Sequence, residues 1–270
     1  MRRTYSGTSI EKPRQNQTNE DAVVARRNVV AVSDGAGGGG IYADLWSAYL
    51  LKQLPETPIA SFACLDDWVD SIWEPFYAVC EESAKKAGGM VLNKFYDEGS
   101  FATLAVAWRT NEGFRWMSYG DSVVFCYRAR TGTLEHSFTR LSDFDNPPYL
   151  INFKDKLHEE GFRSGLFKNI GACDGVFCAT DALAHYVLMM YELSRRGRYG
   201  LELKEAERRG SKNAQIVKTA MDCRVCFKKD VIDKLRHCAG RKEDFRQHVE
   251  ALLRKKLIAL DDYSYAMTVG

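Results

Sequence analysis

The stretch Val29-Val30-Ala31-Val32-Ser33-Asp34-Gly35-Ala36-Gly37-Gly38-Gly39-Gly40 decides how this chain is read. It opens as an apolar, β-branched run suited to a buried strand and then delivers one carboxylate into glycines that no strand could continue. Asp34 is therefore presented at a strand end. Glycines there let the backbone approach a ligand closely, so the carbonyl of Gly35 is a further candidate ligand. Three other uses of such a loop compete. A Walker phosphate cradle needs Lys followed by Ser or Thr at its end, and here the glycines run into Ile41-Tyr42-Ala43-Asp44. A dinucleotide fingerprint matches the glycine spacing only loosely, and an Asp at the strand end opposes a pyrophosphate electrostatically. A glycine-rich hairpin or linker is the third. Carboxylates elsewhere in the chain decide among them.

At 270 residues, with 45% hydrophobic and 27% charged residues, the chain is long enough to bury a large core, as one large domain or two small ones. Its 38 basic and 36 acidic residues are interspersed and leave a net charge of +2, which argues for neither nucleic acid nor an anionic membrane as partner. No run approaches the roughly 18 apolar residues that span a bilayer, and Met1-Arg2-Arg3 leads into polar sequence, so a cytoplasmic protein is expected. Eight cysteines are too sparse for a disulfide scaffold. Cys64, Cys80, Cys126 and Cys178 sit in apolar stretches and read as free thiols packed as small hydrophobes.

Around the opening stretch, residues 3–9 suit an edge strand, 11–17 a polar loop, and Ala22–Ala25 a strand forming a hairpin with Val29–Val32 through Arg26-Arg27-Asn28. That hairpin carries Asp21 and Asp34 to the same end. Helices are expected over about 42–54, with Leu45, Tyr49, Leu50 and Leu51 on one face, and over about 66–86, kinked or divided at Pro75. The period then changes. Ser100–Trp108, Phe114–Tyr119 and Val123–Arg128 read as three strands of a β-meander, interrupted at Gly120-Asp121-Ser122. Nothing regular emerges over 141–170. Gly175–Asp181 repeats the opening pattern, an apolar strand ending in one Asp and feeding a helix over about 182–195. Helical patterns follow over 201–220 and 241–257, and Leu260-Asp261-Asp262 turns into a terminal strand.

Asp21, Asp34, Asp121, Asp181 and Asp261 thus each stand at the edge of an expected strand. Clustered carboxylates repel unless cations neutralise them, and all-oxygen ligands favour hard divalent ions such as Mg²⁺ or Mn²⁺. Two such ions can share one water, lower its pKa and aim it at phosphorus, so the pattern points to hydrolysis of a phosphate ester.

Asn19-Glu20-Asp21, Val32-Ser33-Asp34-Gly35-Ala36-Gly37-Gly38, Gly99-Ser100-Phe101-Ala102, Gly120-Asp121-Ser122, Ala179-Thr180-Asp181 and Asp261-Asp262-Tyr263-Ser264 resemble, in this order, the motifs of the metal-dependent type 2C serine/threonine protein phosphatases (PPM-type). The resemblance spans nearly the whole chain and implies a single domain, 1–270. It implies an α+β fold, a central antiparallel β-sandwich flanked by α-helices on both sides, with a binuclear Mn²⁺ or Mg²⁺ centre at one end. By match to the motifs, Asp21, Asp34, the Gly35 carbonyl, Asp181 and Asp261 would hold two core ions, Glu20 would support them through water, and Asp121 would help bind a third. The implied substrate is a phosphoserine or phosphothreonine protein, the implied counterpart a Ser/Thr kinase, and the implied state a monomer.

Departures accompany the likeness. The family's phosphate-clamping Arg, three residues before the Asn-Glu-Asp triplet, is Asn16 here, and Arg14 is the candidate replacement. A His that usually follows the Asp-Gly pair is replaced by Gly39 or Gly40, which leaves the leaving-group alkoxide without its candidate acid and suggests slow turnover. Ala182 replaces a Gly after Asp181, and residues 143–173 would form the flap that chooses substrates. These losses also suit a catalytically weak relative acting as a binding or regulatory module. Cys223-x-x-Cys226 with His237-Cys238 has poor spacing for tetrahedral zinc. The basic face over 241–256 suits a solvated helix docked on the sandwich, and His136, His158, His185 and His248 show no partner pattern.

Overall fold

The computed structural model describes residues 4–13, 17–38, 40–195, 204, 208, 210, 211 and 213–269. Arg14, Gln15, Asn16 and Gly39 lie outside the described residues, as does much of the expected helix over 201–220.

The architecture follows from which way alternate residues of each strand face. In β3 (Val29–Ser33), Val30 and Val32 pack into the gap between two sheets while Val29 and Ala31 pack outward against helices. The same division holds in β5 (Leu104–Thr110), with Ala105 and Ala107 inside and Leu104, Val106 and Trp108 outside. On the opposing sheet, β7 (Val123–Arg128) turns Val124 and Cys126 inward, and β11 (Gly175–Ala179) turns Val176 and Cys178 inward. In these central strands small side chains face the inter-sheet layer and larger ones meet the helices, while Phe114 and Phe167, paired on the strands beyond β5, fill the layer on that side. Both faces of each sheet are therefore buried, which is why these strands read as unbroken apolar runs.

With β1 (Thr4–Ile10), β2 (Ala22–Arg26), β6 (Gly113–Tyr119), β8 (Thr133–His136), β10 (Phe162–Lys168) and β12 (Tyr263–Val269), the strands form two five-stranded sheets, ordered β1-β12-β11-β7-β8 and β10-β6-β5-β3-β2. All neighbouring pairs are antiparallel. Helices α1 (Ala43–Lys52), α2 (Phe62–Ala87) and α3 (Gly89–Asp97) cover one sheet, and α4 (Asp181–Ser194), α5 (Ala214–Met221), α6 (Asp233–Cys238) and α7 (Lys242–Arg254) cover the other. The fold is the expected helix-flanked antiparallel sandwich.

Several local expectations are corrected. The meander is not one sheet: β5 pairs with β6, but β7 pairs with β8 and β11, so Gly120-Asp121-Ser122 carries the chain from one sheet to the other. The expected strand over 100–108 divides into β4 (Phe101–Ala102) and β5 at Thr103, and β4 pairs with β9 (Ile151–Asn152). The segment without expected structure supplies β9 and the edge strand β10, whose sequence FRSGLFK carries too little alternation to show itself. Of the two expectations at Pro75, division does not occur: α2 is one helix, because Leu65, Val69, Phe76, Cys80 and Ala84 bury a stripe on both sides of the missing hydrogen bond. In α1 the buried face is Trp46, Leu50 and Leu51, and Leu45 is exposed. Gly88-Gly89 ends α2 and starts α3, so a presumed terminator hid a second helix. Cys80, Cys126 and Cys178 are buried free thiols as expected, but Cys64 is exposed beside the N-cap Ser61.

Candidate metal centre

Strand register places the aspartates. Ala22 pairs with Ser33, so Asp21 and Asp34 leave the β2–β3 hairpin side by side, as the hairpin reading required. Ala179 pairs with Tyr265 in the opposing sheet, which brings Asp181, the first residue of α4, beside the Asp261-Asp262 turn. Asp121 stands where the chain crosses between the sheets, after Gly120 at φ 90°, where an added Cβ would lie 2.6 Å from the Tyr149 carbonyl oxygen. The two sheets thus contribute from opposite sides of one cleft. Asp34, Asp121, Asp181 and Asp261 line a cavity of about 840 Å³ together with Thr103, Phe144, Pro147, Pro148 and Ser211. A larger groove, about 1050 Å³, opens at the other end of the sandwich and is lined by Arg26, Arg27 and Arg109 with Glu112 as its one carboxylate, so it lacks an anionic donor set.

Hydrogen bonds fix the acidic residues. The Thr180 hydroxyl donates to Asp21 Oδ2 over 2.9 Å and accepts the Ser264 N–H over 3.0 Å, tying the two sheets together behind the cleft. The Asp21 N–H is held by Asn19 Oδ1 at 3.0 Å. Asp34 N–H donates to the Thr103 hydroxyl at 3.2 Å, and that hydroxyl lies 2.6 Å from Ser122 Oγ. Gly35 is buried against its neighbours: its N–H donates to the Glu20 carbonyl at 3.1 Å, and a Cβ there would stand 2.6 Å from the Ala43 carbonyl oxygen. Glu20 turns its carboxylate onto the Gly37 N–H at 3.2 Å and so secures the glycine loop.

Electrostatics express the crowding. Burial, and then the neighbouring Asp262 and Asp261, push the Asp21 carboxyl up to about 7 despite the Thr180 hydrogen bond that opposes the rise. Burial and then Asp21, Asp181, Asp121 and Asp261 hold Asp34 well above the usual carboxylate range. Asp181 is raised likewise, first by burial and then by Asp121, Asp261 and Asp21. Burial moves Asp121 to about 6, and its Oδ1 is buried without a hydrogen-bond partner among the described residues. Desolvated, mutually repelling carboxylates with an unsatisfied oxygen are a donor set suited to a hard divalent cation. Among the described residues, no three His, Cys, Asp or Glu side chains stand close enough together to hold one ion as they are arranged.

Two residues of this centre were missed in the sequence. Lys12 places its ammonium 3.0 Å from Asp261 Oδ1. Asp262, buried, accepts the Lys12 N–H at 2.7 Å and the Glu20 N–H at 2.8 Å on its two oxygens. The Asp-Asp pair in the sequence was the signal: two adjacent carboxylates at a strand start cannot both face one cleft. The cysteine and histidine stretch does not assemble with them, since Cys226 and His237 are exposed while Cys238 is buried.

The same arrangement of sheets and helices is found in solved phosphatase structures. PppA, a regulatory component of the type VI secretion system in Pseudomonas aeruginosa, superposes with a TM-score of 0.54 at 14% identity, covering 98% of this chain and 96% of that one. The serine/threonine phosphatase Stp1 of Staphylococcus aureus gives 0.54 at 13% identity over 98% and 94%. The serine/threonine phosphatase PstP/Ppp of Mycobacterium tuberculosis gives 0.53 at 16% identity over 98% and 97%. No family model matches the sequence, and no curated protein matches it. The chain has the fold of the PPM-type serine/threonine phosphatases.

Proposed function

We propose that the protein is a metal-dependent phosphatase that hydrolyses phosphoserine and phosphothreonine in proteins. The observation that carries this reading is the convergence of Asp34, Asp121, Asp181 and Asp261, backed by Asp21, on one desolvated cleft between the sheets. Asp21, Asp34, the Gly35 carbonyl, Asp181 and Asp261 are the groups for two core Mn²⁺ or Mg²⁺ ions, with Glu20 in support and Asp121 for a third. What a divalent pair supplies in such a site is Lewis acidity, neutralising phosphoryl charge and activating the attacking water.

The chain's own groups do the positioning. Thr180 aims Asp21, the Thr103–Ser122 pair supports Asp34, and Asp262 ties residues 12 and 20 at the cleft's edge. Phe144 and the Pro147-Pro148 pair line the cavity beside Asn146, Ser211 and Asn213, a mix of apolar and hydrogen-bonding groups suited to an extended phosphopeptide. Arg14 remains the candidate phosphate clamp, the protein substrate is the target of a Ser/Thr kinase, and the acting species is a cytoplasmic monomer in this reading.

The test is hydrolysis of a phosphothreonine peptide by the purified chain with and without Mn²⁺, beside Asp34→Asn and Asp181→Asn. Metal-dependent turnover that both substitutions abolish is expected. An inert wild type that still binds Mn²⁺ replaces this reading with that of a binding or regulatory module, which Asn16 in place of the clamping Arg and glycine in place of the His favour.

A further inference from the structure

We infer that Lys12 is the resident counter-cation of the acidic cleft and competes with a divalent ion for Asp261; the inference rests on the metal reading above. The register of the sheet brings the two together. Strands β1 and β12 are antiparallel, with Ile10 opposite Tyr263, so the chain two residues beyond Ile10 comes level with Asp261, two residues before Tyr263. The Lys12 backbone is then fastened there by its N–H bond to Asp262 Oδ1, and the ammonium closes on Asp261 Oδ1 at 3.0 Å. The pair is partly shielded, with the Lys12 side chain 27% exposed and that of Asp261 39% exposed.

Among the described residues, Lys12 is the only lysine or arginine in an ion pair with any of the five cleft aspartates. Every other member of the set faces burial and like charge, and one oxygen of Asp121 has no partner. The ammonium neutralises the carboxylate charge that a divalent ion needs and holds Oδ1, which also accepts the Asp262 N–H, so Lys12 and a divalent ion compete for Asp261. The tethered cation covers Asp261 when metal is scarce and is released towards the cleft when metal is abundant. Metal occupancy is thereby set by a residue that is not itself a ligand.

The experiment is a Mn²⁺ titration of the full chain, followed by the electron paramagnetic resonance of the free ion, on wild type, Lys12→Met, Lys12→Arg and Lys255→Met. Lys255 is exposed and is the control for charge alone. Lys12→Met is expected to bind about fivefold more tightly, the equivalent of one partly exposed ion pair, with Lys12→Arg and Lys255→Met within about twofold of wild type. Equal or weaker binding by Lys12→Met, or equal tightening by Lys255→Met, overturns the inference. A second measurement needs no variant: amine-reactive labelling of Lys12 in wild type, read by mass spectrometry, should rise when Mg²⁺ is added at saturation, and unchanged labelling overturns it too. Binding of Mn²⁺ by wild type with no response at Lys12 sinks this inference alone, whereas absence of Mn²⁺ binding in every variant sinks the metal reading with it.

Discussion

Thr180 shows how one hydroxyl serves both stability and the cleft. It donates to Asp21 and accepts the Ser264 N–H, all three groups lying out of solvent. Thr180→Val keeps the shape but leaves a buried backbone donor and a buried carboxylate oxygen without that partner. The loss should be about 1–3 kcal/mol in denaturant unfolding, accompanied by weaker Mn²⁺ binding, because the Asp21 carboxylate then keeps only the Ser264 side chain as a hydrogen-bond partner. An unchanged Mn²⁺ affinity would limit Thr180 to a structural role. At this scale the sequence was legible for the aspartates, whose placement at strand ends follows from apolar runs that stop at Gly, Ser or Thr. It was not legible for Lys12 or Asp262, whose partners are more than 240 residues away. Nothing in local spacing distinguishes a lysine that reaches such a partner from a solvated one.

Helix α4 raises a different matter, since it is buried over most of its length and carries His185, 4% exposed, edge-on to Phe144 at 5.5 Å. Burial depresses this imidazole to about 4, so it is neutral in the folded protein. The unfolded chain takes up a proton near pH 6.5 while the folded chain resists until about 4, so stability is present above 6.5 and is lost as pH falls through that window. The contribution of His185 to that loss is about 2 kcal/mol between pH 7 and pH 5. Paired unfolding curves at the two pH values should show a smaller decline for His185→Leu than for wild type; parallel declines would show that the imidazole is protonated in place. Elements themselves were legible where one face was apolar, as for α7, whose buried Phe245, Val249 and Leu252 follow helical spacing. They were hidden where that signal fails, as in the edge strand β10 and in α3, which starts directly from a glycine pair.

For the molecule as a whole, the cleft is a place where the two sheets bring like charges together, and this strain should be relieved by a bound cation. Binding to the folded state alone stabilises it by mass action, about 2.7 kcal/mol at a hundred times the dissociation constant. For a chain of this length that corresponds to a rise of roughly 5–10 °C in melting temperature. Mn²⁺ should produce such a rise in wild type and little in Asp34→Asn or Asp181→Asn, measured by differential scanning calorimetry. A melting temperature indifferent to Mn²⁺ at millimolar concentration would remove the metal from this site. Among the described residues, no helix is long and apolar enough to cross a membrane.

The sequence by itself determined the inventory: apolar strands, glycine turns, helical stripes and an aspartate at each of several strand ends, all consequences of local stereochemistry and periodicity. The tertiary structure alone decided how they combine. Strands buried on both faces carry no alternation that names a neighbour, so the assignment of β6 and β7 to different sheets, and with it the position of Asp121, follows from long-range packing. The same holds for Lys12 and Asp261, which meet because β1 and β12, the two ends of the chain, pair in one register, and register is fixed by the faces that burial selects.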